Sequence, residues 1–166
     1  MYTVHMEPTR ILFVCMANIV RSPMAENLFR HIISQRNIEH RFLVDSAGTA
    51  PGFSGRTPHP TMTRIAARSG VANTGISRTI ESADLDRFDM ILVMDSTNHA
   101  DVSGMAVDDQ QRERIYYLGE FHPHADSSFD IDDPIMGTTA DFEDTYILIE
   151  ECVIGLINHL QQHPHQ

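Results

Sequence analysis

Lysine is absent from this chain of 166 residues; all 12 of its Lys+Arg positions are arginine. A Schiff-base or pyridoxal enzyme needs a lysine amine, and a Walker-type nucleotide loop needs its lysine on the phosphates, so neither chemistry is available. Cysteine is nearly absent too: Cys15 and Cys152 cannot build a disulfide framework. No apolar run approaches the roughly 20 residues that span a bilayer. The start, Met1 to Arg10, carries Glu7 and Pro8 and has no apolar core of the kind a signal peptide needs. Basic charge is also scarce, and the formal net charge of −11 speaks against a nucleic-acid or anionic-membrane binder. These absences leave an intracellular, cytoplasmic protein with reduced thiols as the expectation.

The length suits one domain spanning 1–166, with an ordered core over about 10–160. Charge is divided unevenly along it. Residues 1–83 hold nine arginines and five acids, and residues 84–166 hold three arginines and eighteen acids. Such an asymmetry fits a cationic site facing an acidic flank.

Ile11-Leu12-Phe13-Val14 is wholly apolar and predicts a strand buried on both faces. Ser22-Pro23 then opens a helix in which Met24, Ala25, Leu28, Phe29, Ile32 and Ile33 recur at helical spacing, to about Gln35. Phe42-Leu43-Val44 predicts a second strand, leaving through Ser46-Ala47-Gly48-Thr49, and a helix follows from Pro60 to Ser69 before Gly70. Met90 to Met94 is a third buried strand and Ile115 to Leu118 a fourth; Gly119 to Gly137 is expected as a long surface loop. Phe142, Tyr146, Ile149, Val153, Leu156, Ile157 and Leu160 mark a C-terminal helix, in which Cys152 is a core residue; His163-Pro164-His165 is expected to fray. Strands alternating with helices predict a single α/β domain with a parallel sheet. His122-Pro123-His124 and the terminal histidines lack a third metal ligand at useful spacing and are expected to be solvated.

The chemistry concentrates in Cys15-Met16-Ala17-Asn18-Ile19-Val20-Arg21-Ser22. A cysteine ends a buried strand and an arginine opens the next helix, the place where parallel α/β folds bind ligands. A loop there aims backbone N–H groups and the positive end of a helix at one anion. A sulfur at the mouth of that cradle is favoured as the thiolate, and Arg21 adds a fork for two phosphoryl oxygens. Nucleophile, cradle and fork describe phosphoryl transfer through a cysteinyl phosphate.

With Asp45-Ser46-Ala47-Gly48-Thr49, Asp86 through Asp95, Asp133-Pro134, Gly137, Tyr146 and Glu150 in the same order, the chain resembles the low-molecular-weight protein tyrosine phosphatase family. The resemblance implies four parallel strands in the order 2-1-3-4 and metal-independent hydrolysis of phosphotyrosine, with no cofactor. It implies Cys15 as nucleophile and Arg21 as phosphate clamp. Met16, Ala17, Asn18, Ile19 and Val20 would bind phosphate as the loop, Ser22 would donate to the thiolate, and Asp133 would be the general acid, with Asp132 its nearby rival. Gly52, Phe53, Ile135 and Met136 stand where the family walls its substrate pocket, and they are poorer in aromatic rings. Ala17 replaces a glycine less restricted at positive φ, Val20 replaces a second cysteine, and a histidine that supports the loop is missing near Gly75, where Arg78 fits a neighbouring arginine. Implied partners are a phosphotyrosine protein, a tyrosine kinase among them, and phosphate or another oxyanion in the loop; the chain would be a monomer or weak homodimer. Arsenate reductase, phosphoarginine phosphatase and a weak phospho-binding module are the alternatives. The acidic half is expected to supply the acid and to disfavour highly acidic peptides.

Overall fold

The computed structural model describes residues 6–164. Strand β1 (Thr9–Cys15) pairs in parallel with β2 (Phe42–Gly48) on one side and with β3 (Met90–Val93) on the other. Strand β4 (Ile115–Tyr117) pairs in parallel with β3, so the order is β2-β1-β3-β4, as expected. Alternate side chains of β1 enter opposite faces of this sheet. Ile11, Phe13 and Cys15 join one apolar cluster, and Leu12 and Val14 the other.

The first face is covered by α1 (Arg21–Gln35), α2 (Pro60–Arg68) and the long α6 (Thr139–Gln162). All seven residues named above for the C-terminal helix are buried in α6, and its start is fixed by a capping box between Thr138 and Asp141. The second face carries α3 (Asp84–Arg87), α4 (Ser96–Met105) and α5 (Asp109–Arg112), with Leu85, Phe88, Val102 and Ala106 packed on Leu12, Val14, Ile91 and Val93.

Three features depart from the sequence reading. Strand β2 runs on through Asp45 to Gly48, because Cys15 pairs with Gly48 and draws the polar exit into the sheet. Helix α4 was not expected: it buries only Asn98 and Val102, which leaves no apolar stripe to see, and Asp95 starts it by accepting from the N–H of Asn98 at 2.8 Å. The 119–137 segment is interrupted by 3₁₀ turns at Leu118–Phe121 and Pro134–Met136. Of the end expected to fray, His163 caps α6 through its N–H to the carbonyl of His159, and His165 lies outside the described residues. No helix among the described residues is long and apolar enough to cross a membrane, and no group of three or more His, Cys, Asp or Glu among them is placed to hold a metal ion.

Candidate active site

Residues 16–20 join the end of β1 to the start of α1, so the loop sits at the carboxyl edge of the sheet. Its outer side is pinned by its own carbonyls. Cys15 O, Met16 O and Ile19 O accept from the N–H groups of Thr49, Ala50 and His59, each at 2.9 Å. A trans peptide sets the next N–H opposite its carbonyl, which turns the N–H groups of Met16, Ala17 and Val20 to the inner side. Helix α1 has no side-chain cap at Val20 and no acid in its first turn, so its leading N–H groups are free to serve an anion. Gly48 lies directly beneath: a Cβ there would stand 2.6 Å from Met16 O and 2.9 Å from the Ala17 carbonyl carbon. Only glycine lets β2 approach the loop this closely.

Asn18 takes the left-handed turn of the loop, with φ 57°, and Ala17 stays out of that region. The alanine that replaces the family's glycine therefore adds no backbone strain. The Asn18 amide is satisfied in one orientation only. Its Oδ1 accepts from Arg78 N at 3.0 Å, which turns Nδ2 to donate to Ser22 Oγ at 2.8 Å and Ser46 Oγ at 2.9 Å. Ser46 passes its own hydrogen to Glu26 Oε2 at 2.6 Å. Ser22, already an acceptor, has one hydrogen and two acceptors in reach, Cys15 Sγ at 3.0 Å and the Ala47 carbonyl at a longer 3.4 Å. Burial holds the Glu26 carboxyl above its ordinary range, against the lowering effect of Ser46 and Arg30. A cavity of about 70 Å³ near Gly75 is lined by Asn18, Glu26 and Ser46 among others. Arg78 holds the surroundings together, donating to Asp45 at 3.0 Å and to buried Asp84 at 2.9 and 3.2 Å. Burial opposes the Arg78 charge, but Asp84 and Asp45 outweigh it and raise its pKa.

Arg21 is 2% exposed. Its Nη1 donates to Asp95 Oδ2 at 2.7 Å and to the Ile131 carbonyl at 2.8 Å, and Nη2 reaches Asp133 Oδ2 at a longer 3.3 Å. Its Nε is buried and, among the described residues, has no hydrogen-bond partner. Burial works against this charge; Cys15, Asp95 and Asp133 outweigh it and hold the guanidinium above its usual pKa. One edge of the guanidinium is thus fixed, and the other presents an unused donor beside the loop.

A pocket of about 320 Å³ brings Cys15, Met16, Ala17, Ile19 and Val20 together with Phe53, Arg56, His59, Asp133 and Ile135. Asp133 belongs to it and accepts from Ile135 N through Oδ1, whereas exposed Asp132 lines the neighbouring cavity. Two of the four expected wall residues lie elsewhere. Gly52, at φ 91°, has no side chain and is exposed on its turn, so Phe53 supplies the wall instead. Met136 is 94% exposed and lines that same neighbouring cavity, because the 3₁₀ turn after Asp133 turns Ile135 to the pocket and Met136 away.

Several residues at the site carried no role in the sequence reading. Asp95 and Ser46 stood inside recognised motifs without one, and Glu26, Arg56 and His59 were not singled out. Asp95 had the one readable signal, a polar residue placed to cap a helix directly after a buried strand.

Comparison with known proteins agrees with this geometry. Residues 10–166 match the family model described as low molecular weight phosphotyrosine protein phosphatase. A human protein of that name is 34% identical over 144 residues, covering 86% of this chain and 88% of its own. The crystal structure of YfkJ from Bacillus subtilis superposes with a TM-score of 0.88 at 31% identity, covering 98% of this chain and 99% of that one. A protein tyrosine phosphatase from Entamoeba histolytica, with Hepes in its active site, gives 0.88 at 27% identity and covers 94% and 99%. Matched over nearly its whole described length, the chain belongs to the low molecular weight phosphotyrosine protein phosphatase family and is an enzyme of that kind.

Proposed function

We propose that the chain hydrolyses phosphotyrosine on proteins in two steps, with Cys15 as nucleophile, Arg21 as clamp and Asp133 as acid and base. In the first step the Cys15 thiolate attacks phosphorus, an S–P bond forms and the bond to the tyrosine oxygen breaks. Asp133 gives its proton to that leaving oxygen. In the second step Asp133 takes a proton from water, whose oxygen attacks phosphorus, and Cys15 leaves as the thiolate with Ser22 donating to it. Phosphate and a free hydroxyl are the products, and the protein returns to its starting protonation.

The observation that carries this reading is the unpartnered Nε of Arg21, buried beside the loop that holds Cys15. A buried donor left unpaired is costly. A phosphoryl oxygen supplies the missing acceptor, while Asp95 and Ile131 keep the other edge of the guanidinium still. The long 3.3 Å contact from Nη2 to Asp133 is the one a phosphoryl group would displace, freeing the carboxyl to meet the leaving oxygen. Asp132 is less suited, being exposed and outside the pocket of Cys15. A relay of thiols of the arsenate reductase kind has little support: Cys152 is wholly buried in α6. Two free cysteines fit work in a reducing, cytoplasmic setting.

The test is turnover of p-nitrophenyl phosphate and of a phosphotyrosine peptide with and without chelator. Activity should be unaffected by chelator, and Cys15→Ser should lower kcat by at least about 10³-fold. Activity that survives this substitution would sink the mechanism.

A further inference from the structure

Charge of both signs meets at the Cys15 pocket. A cavity lined by Asp130, Asp132, Asp141 and Asp144 adjoins it, with Asp133 common to both. Arg56 and His59 line the pocket itself, where Asp133 is the one carboxylate among its described lining residues. Arg56 is exposed and, among the described residues, takes part in no ion pair.

Arg56 is nonetheless held in place. Its guanidinium lies over the Phe53 ring, 5.3 Å from the centroid. Its backbone is clamped on buried Ser77: Arg56 N donates to Ser77 Oγ at 2.9 Å, and Ser77 N donates to Arg56 O at 2.8 Å. Ser77 also receives the Gly55 N–H on its carbonyl at 2.9 Å and donates its hydroxyl to the carbonyl of Phe53. The turn from Phe53 to Arg56 is therefore tied at three residues, and stacking on Phe53 restricts the side chain before any binding. His59 adds a donor to the same lining. Its Nδ1 is occupied as acceptor from Thr61 N at 3.2 Å, so Nε2 carries the free N–H of the neutral ring.

Resting on the proposed reading of the Cys15 pocket, we infer that Arg56 recognises a carboxylate of the substrate chain within about two residues of the phosphotyrosine, making acidic phosphopeptides the preferred substrates. With the phosphate in the loop and the tyrosine ring along Phe53, the flanking chain passes over the rim where the guanidinium fork is open. A fork pre-set by stacking suits a carboxylate held by two N–H groups. The overall charge of −11 would suggest the opposite preference. However, screening over a Debye length of about 8 Å makes the nearest cation outrank a distant net charge.

The experiment compares kcat/KM for two phosphotyrosine peptides, one with aspartates flanking the phosphotyrosine and one with alanines in their place, beside p-nitrophenyl phosphate. The wild type should favour the acidic peptide by about fivefold at physiological ionic strength, where the net charge is screened. That ratio should fall to about one in Arg56→Ala or in high salt, and below one in Arg56→Glu. A preference that survives Arg56→Ala overturns the inference, as does an equal fall on p-nitrophenyl phosphate, which would put Arg56 on the phosphate itself. Turnover with no acidic preference in the wild type overturns the inference alone. A chain that turns over none of the three overturns the reading of the site and the inference with it.

Discussion

Cys15 and Cys152 are both free, both buried, and members of the same apolar cluster, yet their surroundings differ sharply. Cys152 sits inside α6 among hydrocarbon. Burial, with a smaller contribution from the charge of Glu151, pushes its thiol up to about 12. Cys15 is just as removed from water, at 3% exposed, but it ends a strand that points at the start of a helix. Ser22 aims a hydroxyl at its sulfur, and Arg21 stands beside it with its charge favoured by Cys15. On the proposed mechanism, burial is therefore not what separates the nucleophile from a packing residue; the difference lies in the fixed donors set around Cys15 and missing around Cys152.

Alkylation should separate the two cysteines most widely. At neutral pH a thiol with a pKa of about 12 is thiolate in only about one molecule in 10⁵. Iodoacetamide followed by peptide mass spectrometry should find Cys15 modified and Cys152 untouched in the folded protein, with inorganic phosphate protecting Cys15. Equal labelling of both would break the comparison.

Asp133→Asn comes next. It removes the proposed acid but keeps the donors around the sulfur, so the sensitivity of the rate to the leaving group should change while Cys15 stays the labelled thiol. Poorly leaving phenols should slow by about 10²-fold more than p-nitrophenol. If Asp132→Asn does this instead, the acid has been misassigned.

The smallest effect belongs to Cys152→Ala, which should cost about 1 kcal/mol of stability in urea titration at pH 7. The folded pKa of Cys152 is raised above its unfolded value of about 8.5, so its stabilising contribution is present below that pH. It is lost as pH rises towards the folded value. The alanine variant should therefore show a flatter loss of stability in that alkaline window, and an unchanged slope would count against the buried-thiol account.

What could be seen in the sequence divides along the same line as the two cysteines. Strands β1 and β3 and helices α1 and α6 were legible because their apolar residues repeat at the period of the structure and end in the core. Cys15, Arg21 and Ser22 were legible because eight residues hold a strand end, a loop and a helix start. Helix α4 was not, since its stability rests on the Asp95 cap rather than on an apolar face. Asp95 and Arg78 meet the site across 74 and 60 residues of chain, a pairing that no local pattern announces. The pocket walls were hardest. Phe53 and Gly52 are neighbours in sequence, and only the positive φ of Gly52 and the clamp on Ser77 decide which of the two faces the sulfur.

The unpartnered Nε of Arg21 also has a thermodynamic meaning. A buried donor without an acceptor costs the free protein about 1–3 kcal/mol. An oxyanion seated in the loop relieves that cost in the folded state and in no other, which couples occupancy of the loop to the folding equilibrium. On the proposed mechanism, this weak point in the interior of the fold is mended by the substrate's phosphoryl group and by the phosphate released from it. The melting temperature of this protein would then be a gauge of how full the Cys15 loop is.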